Sequence, residues 1–231
     1  MNETTCLSPQ STSVEEPRVL DRDEDVASKR PEKEGIQRIL KAAKDEFCRA
    51  GLAGAKLETI AKRAGVSKQL IHHYYGTKPG LYNAVVSETS SAAIEELSRL
   101  RYEDYSPEKG LRLFLHGIFD LYIRFPFMAG MVIDCNLQDV EVLPECRQLI
   151  LRSPLLMERL AGVIERGQQQ GVFKTPLNFP ATISAAVLMT SGCFTGGKGV
   201  SMLVPFDFAD DENIQFWRDY SVDFVLSALR P

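Results

Sequence analysis

No C-x-x-C pair and no even set of cysteines occurs in this sequence. Cys6, Cys48, Cys135, Cys146 and Cys193 are scattered, so a disulfide framework is not expected, and reduced thiols in a cytoplasm are. Cys146 precedes Arg147, a positive neighbour of the kind a reactive thiol needs, but nothing else points to a reactive thiol. No uninterrupted apolar run has the length of a bilayer span. The most apolar stretch, ATISAAVLMTSGCFTGG, is broken by Thr, Ser and Gly and reads as a packed helix, so no membrane partner is expected. The first residues lack a basic start followed by an apolar segment, which argues against a secretory signal. Strand-like alternation and internal repeats are missing as well, so the chain is predicted to be all-α. No paired acid, base or nucleophile constellation appears. An enzyme is therefore not expected, and neither a cofactor nor a metal is implied.

What is present is an uneven charge. The formal net charge is -4, yet residues 1–29 carry a balance of -4, residues 30–83 a balance of +6 and residues 84–231 a balance of -6. A basic module beside an acidic body suggests that one end meets a polyanion, although a chance fluctuation of solvated charges reads the same way.

Residues 1–31 are rich in Ser, Thr, Glu and Asp, and are expected to form a disordered arm ending at Pro31. From Lys33 to Ala50, Ile36, Ile39, Leu40, Ala43 and Phe47 fall at helical spacing, closed by Gly51 and Gly54. Leu57, Ile60, Ala61 and Ala64 form a second short stripe. A third helix is predicted over Lys68–Tyr75, stopped by Gly76. Thr77 then caps a fourth that runs to about Arg101. Further helices are predicted beyond Pro107, from Phe127 to Leu137, in one or two pieces ending near Gly171, from Pro180 to about Phe194, and from Asn213 to Leu229. GGKG at 196–199 lacks the spacing and hydroxyl of a phosphate loop and reads as an ordinary loop.

The stretch AGVSKQLIHHYYGTKPGLY, residues 64–82, concentrates histidine, tyrosine and lysine. Adjacent histidines on a helix point about 100° apart, so His72 and His73 are poorly placed to share a metal. No Cys or carboxylate stands at i+3 or i+4 to complete a site. Two short helices joined by a glycine turn instead describe a helix-turn-helix. Leu57, Ile60, Ala61, Val66 and Ile71 supply its apolar contact, Gly65 its sharp turn and Ser67 a cap. Lys68, Gln69, His72 and His73 then face outward together, as a major-groove reading helix requires.

The segment IQRILKAAKDEFCRAGLAGAKLETIAKRAGVSKQLIHHYYGTKPGLYNAVV resembles the N-terminal DNA-binding domain of the tetracycline-repressor (TetR) family of bacterial transcription regulators. The resemblance rests on Ile39–Ala43 and Phe47, then Gly51, then IAKRAGVS, an aromatic end to helix three, and Lys78 and Leu81. It implies double-stranded DNA as partner, with His72, Tyr74 and Lys78 on the backbone, and Lys68 and Gln69 at base or backbone contacts. Thr77 and the free amides opening helix four would add a phosphate site, and Tyr75 would be structural. Three positions depart from the family pattern. Lys56 replaces the usual small hydroxyl cap of helix two. Glu58 places an acid where DNA is expected, either to accept from a cytosine amino group or to discourage wrong sequences. Leu70 stands where a small or polar residue is common.

The resemblance implies three units: the arm at 1–31, the DNA-binding domain at 32–78, and an effector-binding and dimerisation domain at 79–231. It implies a ligand-responsive regulator, most often a repressor, that binds a pseudo-palindromic operator as a homodimer in the cytoplasm. Candidate dimer residues are Ala185, Met189, Ile214, Trp217, Phe224 and Val225, in helices that would equally serve as monomer core. A mostly apolar small-molecule effector would be lined by Phe114, Phe119, Tyr122, Phe127, Met128, Met131 and Met157, a stripe that also reads as plain core. His116, Asn136 and Gln138 are possible polar anchors. The competing classes are an effector-independent DNA-binding protein and a helical small-molecule-binding protein that has lost DNA recognition.

Overall fold

The computed structural model describes residues 22–137 and 154–231, with side chains from residue 33 onward. Among the described residues every regular element is helical: α1 (Arg22–Gly54), α2 (Leu57–Ala64), α3 (Lys68–Tyr75), α4 (Lys78–Arg99), α5 (Pro107–Arg124), α6 (Phe127–Leu137), α7 (Pro154–Gln169), α8 (Phe179–Val200) and α9 (Asp211–Leu229), with one 3-10 turn at Tyr102–Asp104. The expected all-α fold is what the chain adopts.

Three expectations need correcting. Helix α1 begins at Arg22, nine residues ahead of Pro31. Extending a helix already nucleated downstream adds one hydrogen bond per residue fixed, so the end of the expected arm joins it; residues 1–21 lie outside the described residues. GGKG is not a loop but the end of α8, which continues to Val200. There Phe208 packs directly on Gly197, and such tertiary contact outweighs a glycine penalty of about 1 kcal/mol per residue. Cys135 is disulfide-bonded, whereas Cys48 and Cys193 are free. A scattered, odd set of cysteines names no pair, and only the fold decides which thiols meet.

Two apolar cores divide the molecule. The head core gathers Ile39, Ala43 and Phe47 of α1, Leu57 and Ile60 of α2, Ile71 of α3 and Leu81, Tyr82, Val85 and Val86 of α4. It therefore runs past residue 78, the boundary expected between domains. The body core unites Ala93 and Leu97 of α4 with Leu111, Phe114 and Leu115 of α5, Leu160 and Val163 of α7, Ile183 of α8, and Val222 and Leu226 of α9. Helix α6 belongs to both, because Phe127 and Met131 enter the head core and Met128 enters the body core. By length and hydropathy alone α8 would pass for a bilayer span; in the fold it packs on α5, α6 and α9.

Candidate nucleic-acid interface and adjoining cavity

The α2–α3 turn is built from local chemistry. Gly65 sits at φ 66°, ψ 38° and turns the chain back on α2, a left-handed conformation that a side chain would strain. Ser67 Oγ accepts from the Leu70 amide at 3.2 Å and starts α3. As expected from Lys56, α2 has no side-chain cap. Deeper in, Glu46 is fully buried, and Arg49 donates to it at 2.8 Å with Arg63 3.7 Å away. The hydrogen bond from Arg49 holds the Glu46 carboxyl below the usual carboxylate range despite burial.

Along α3, Lys68, Gln69, His72 and His73 are all exposed, while Ile71 is buried. The four polar residues therefore share a free face on a helix fixed by its opposite side. Lys68 is not free in charge. Its Nζ donates to Glu58 Oε1 at 2.5 Å, and that bond is the largest influence lowering the Glu58 pKa. The departure at Glu58 thus neutralises the first cation of α3. His72 Nδ1 lies 2.7 Å from the Gly76 carbonyl. Because a carbonyl only accepts, Nδ1 carries the proton and donates, and Nε2 is the atom left facing outward. His73 meets Tyr74 edge to face at 5.2 Å, and Tyr74 and Tyr75 rest half-buried against the head core.

The start of α4 differs from the expected cluster of free amides. Pro79 has no N–H, the Gly80 amide donates to Thr77 Oγ1 at 3.1 Å, and the Leu81 amide donates to the Thr77 carbonyl. The expected group of first-turn amides reduces to that of Lys78. The Lys78 ammonium donates to the Ala53 and Ala55 carbonyls at 2.9 and 3.1 Å, binding α4 to the end of α1. An ammonium has three donors, so one remains for an anion. Gly80 is where α4 crosses the end of α3: a Cβ there would stand 2.2 Å from the Tyr75 carbonyl oxygen.

The head and body meet at a residue that sequence reasoning missed. Asp134 on α6 accepts from the Tyr82 hydroxyl at 2.7 Å and from the Leu52 amide at 3.1 Å, just after the break in α1 at Gly51. Burial first, then Asp134, pushes the Tyr82 phenol far up, so it stays a donor. A carboxylate among apolar neighbours on α6 was the available signal.

Beside this junction lies a cavity of about 550 Å³ between α4, α5, α6, α7 and α8. Of the seven expected lining residues it brings together Phe114, Met128 and Met157, with Ile94 and Leu156 beside them. The other four face elsewhere. Phe119 and Tyr122 pack on Phe194, the latter stacked at 4.9 Å, and Phe127 and Met131 turn into the head. Among the described residues, Ser184 is the one hydroxyl in the lining. Asn136 is exposed, and Gln138 lies outside the described residues.

Helix α9 presents an exposed stripe of Phe216, Tyr220 and Phe224, and Leu188 of α8 and Met202 and Leu203 of the connecting loop are exposed as well. Ala185 is exposed, and Met189, Ile214 and Trp217 are half-buried there. Val225 is instead buried in the body core. With Ala185, Met189 and Phe224 it also lines a groove of about 420 Å³ between α8 and α9.

Residues 39–85 match the family described as "Bacterial regulatory proteins, tetR family". Residues 107–225 match "Tetracyclin repressor-like, C-terminal domain". The HTH-type transcriptional repressor NicS of Pseudomonas putida is 26% identical over 195 residues, covering 83% of this chain and 91% of that protein. The HTH-type transcriptional regulator RutR of Escherichia coli is 29% identical over 124 residues, 54% of this chain and 52% of that one. In fold, the chain is similar to the TetR family regulator PfmR from Thermus thermophilus, with TM-score 0.59, 22% identity, and coverage of 82% of this chain and 97% of that one. It is also similar to the regulator FadR from Bacillus subtilis in complex with stearoyl-CoA, with TM-score 0.61, 19% identity, and coverage of 84% and 100%.

Proposed function

The chain belongs to the tetracycline-repressor family of bacterial regulatory proteins, and from that premise we propose that it is a repressor released by a mostly apolar small molecule. Lys68, Gln69 and His73 on α3 meet base edges or backbone of a pseudo-palindromic operator. His72, Tyr74, Thr77 and Lys78 hold phosphates. The observation that carries the reading is α6, whose Met128 lines the cavity while its Asp134 holds Leu52 and Tyr82 of the head. A ligand that prefers one position of α6 changes the separation of two recognition helices, which is the differential affinity that release requires. The testing experiment titrates purified protein onto the DNA upstream of its own gene and onto a scrambled fragment at two salt concentrations. Tight, salt-sensitive binding to the native fragment alone is expected. Addition of an apolar ligand that fills the cavity is expected to weaken it. Equal binding to both fragments at every salt concentration overturns sequence-specific recognition.

The Glu58–Lys68 pair gives a sharper expectation. Glu58→Gln frees the Lys68 ammonium for a phosphate, so binding to any sequence tightens. The slope of log affinity against log salt then steepens by about 0.9 for each added phosphate contact. An unchanged slope places Lys68 away from DNA.

One recognition helix reads few base pairs, so useful specificity calls for two copies about one DNA turn apart. The homodimer is assigned to the outward faces of α8 and α9, with Ala185 and Phe224 retained from the expected set. Phe216, Tyr220 and Leu188 join them, and Met189 and Val225 line the groove between α8 and α9 with Ala185 and Phe224. Tyr220→Glu is expected to yield a folded monomer in sedimentation that no longer binds the operator tightly. A dimer of unaltered stability counts against this face.

A further inference from the structure

The proposed function sets His72 on a phosphate, and the ring's own hydrogen bond restricts how it can serve there. Nδ1 lies 2.7 Å from the Gly76 carbonyl oxygen, and a carbonyl only accepts, so Nδ1 holds a proton and donates. In a neutral imidazole the other nitrogen then carries a lone pair and no hydrogen. A phosphate oxygen is an acceptor too, so the outward Nε2 of a neutral ring would meet it lone pair to lone pair. Moving the proton to Nε2 gives no relief. It would leave the Nδ1 lone pair 2.7 Å from the Gly76 oxygen and strip that carbonyl of its donor. Only the imidazolium donates from both nitrogens at once.

The chain has three histidines, which narrows where a proton can be taken up at DNA. His116 lies on α5 in the body, beside Asp219 of α9. His73 meets the Tyr74 ring edge to face, and among the described residues no hydrogen bond fixes its tautomer, so it can offer an N–H while neutral. The charged groups near His72 are already engaged. Lys68, one turn earlier on α3, is paired with Glu58 of α2. Lys78, at the start of α4, is turned onto the Ala53 and Ala55 carbonyls of α1. Among the described residues no carboxylate pairs with the His72 ring, so the counter-charge for an imidazolium has to come from the DNA.

We propose that His72 is a proton-linked phosphate contact: its ring takes one proton from solvent as it meets the backbone, donating from Nδ1 to Gly76 and from Nε2 to a phosphate oxygen. This rests on the chain binding operator DNA through α3, as proposed above. An imidazole ordinarily ionises at about pH 6.5, so above that the uptake costs affinity and binding tightens toward acid. Each head is then expected to bind about tenfold more weakly per pH unit, and a two-headed dimer about a hundredfold.

The test titrates the full-length protein onto the fragment upstream of its own gene, and onto scrambled DNA, at fixed salt from about pH 6 to about pH 8.5, the range over which imidazoles discharge. Calorimetry at about pH 8 in two buffers of different ionisation heat counts the protons taken up, with about two per dimer expected. His72→Gln supplies a neutral amide donor and is expected to remove the uptake and flatten the pH dependence. His73→Gln is expected to retain both, whatever its effect on affinity. Circular dichroism establishes that each variant is folded. Specific operator binding by the wild type without proton uptake overturns the proposal and leaves the operator reading standing; Nε2 would then accept from a base amino group. Proton uptake that persists in His72→Gln overturns it equally. Failure of the wild type to distinguish native from scrambled DNA at every pH overturns the operator reading, and the proposal with it.

Discussion

Gly80→Ala is expected to abolish operator binding and to destabilise the head by about 3 kcal/mol, the upper range for overpacking. The added methyl would stand 2.2 Å from the Tyr75 carbonyl oxygen and 3.3 Å from its carbon. Both are backbone atoms, so no rotamer change relieves the clash. The same carbonyl accepts from the Thr77 amide at 2.7 Å, and Thr77 Oγ1 caps Gly80. Moving any one of them therefore opens the junction that orients α3 against α4. Thermal unfolding and a DNA titration check both halves. Gly162→Ala in α7 is the control, because among the described residues nothing lies within 4 Å of its new methyl. It is expected to be neutral or to stabilise by up to about 1 kcal/mol through helix propensity. Near-normal DNA binding by Gly80→Ala would show that the α3–α4 crossing yields without consequence.

Asp134→Ala should separate the head from the body. It strips the partner from the Tyr82 hydroxyl and the Leu52 amide, on residues that are 0% and 5% exposed. Leaving a buried donor unpaired costs about 1–3 kcal/mol, so two such losses make this one of the most damaging single changes in the chain. Tyr82→Phe removes one donor and is expected to cost about 1 kcal/mol. The two changes share a hydrogen bond, so their double mutant should fall short of additivity. Hydrogen exchange provides the specific readout: the Leu52 amide loses protection in Asp134→Ala and keeps it in Tyr82→Phe. In addition, ligand should cease to affect DNA binding in Asp134→Ala if α6 is the link. An undiminished ligand response there would move the coupling to α4 alone.

The helix-turn-helix was legible in the chain itself because its determinants are local. The apolar spacing of Leu57, Ile60, Ala61 and Ala64, the turn at Gly65 and the caps at Ser67 and Thr77 each act within a few residues. Accordingly α2 and α3 have the expected bounds. The outward set Lys68, Gln69, His72 and His73 followed from the same periodicity. What those side chains do was less legible. Nothing local announced that Glu58 neutralises Lys68, or that Lys78 is turned onto the Ala53 and Ala55 carbonyls.

In the body, periodicity identified helices but not what each face meets. Phe119, Tyr122, Phe127 and Met131 have the composition of a cavity wall, yet two pack on Phe194 and two close the head. Val225 and Phe224 are neighbours in sequence, and the first is core while the second is surface. The sequence by itself determined the helices, their caps, the turn and the polar face of α3, since these depend on contacts between residues close along the chain. Only the tertiary structure decided that Asp134 of α6 holds Leu52 and Tyr82 of the head, and which side chains line the cavity. Each of these depends on segments far apart in sequence, whose approach no local pattern encodes.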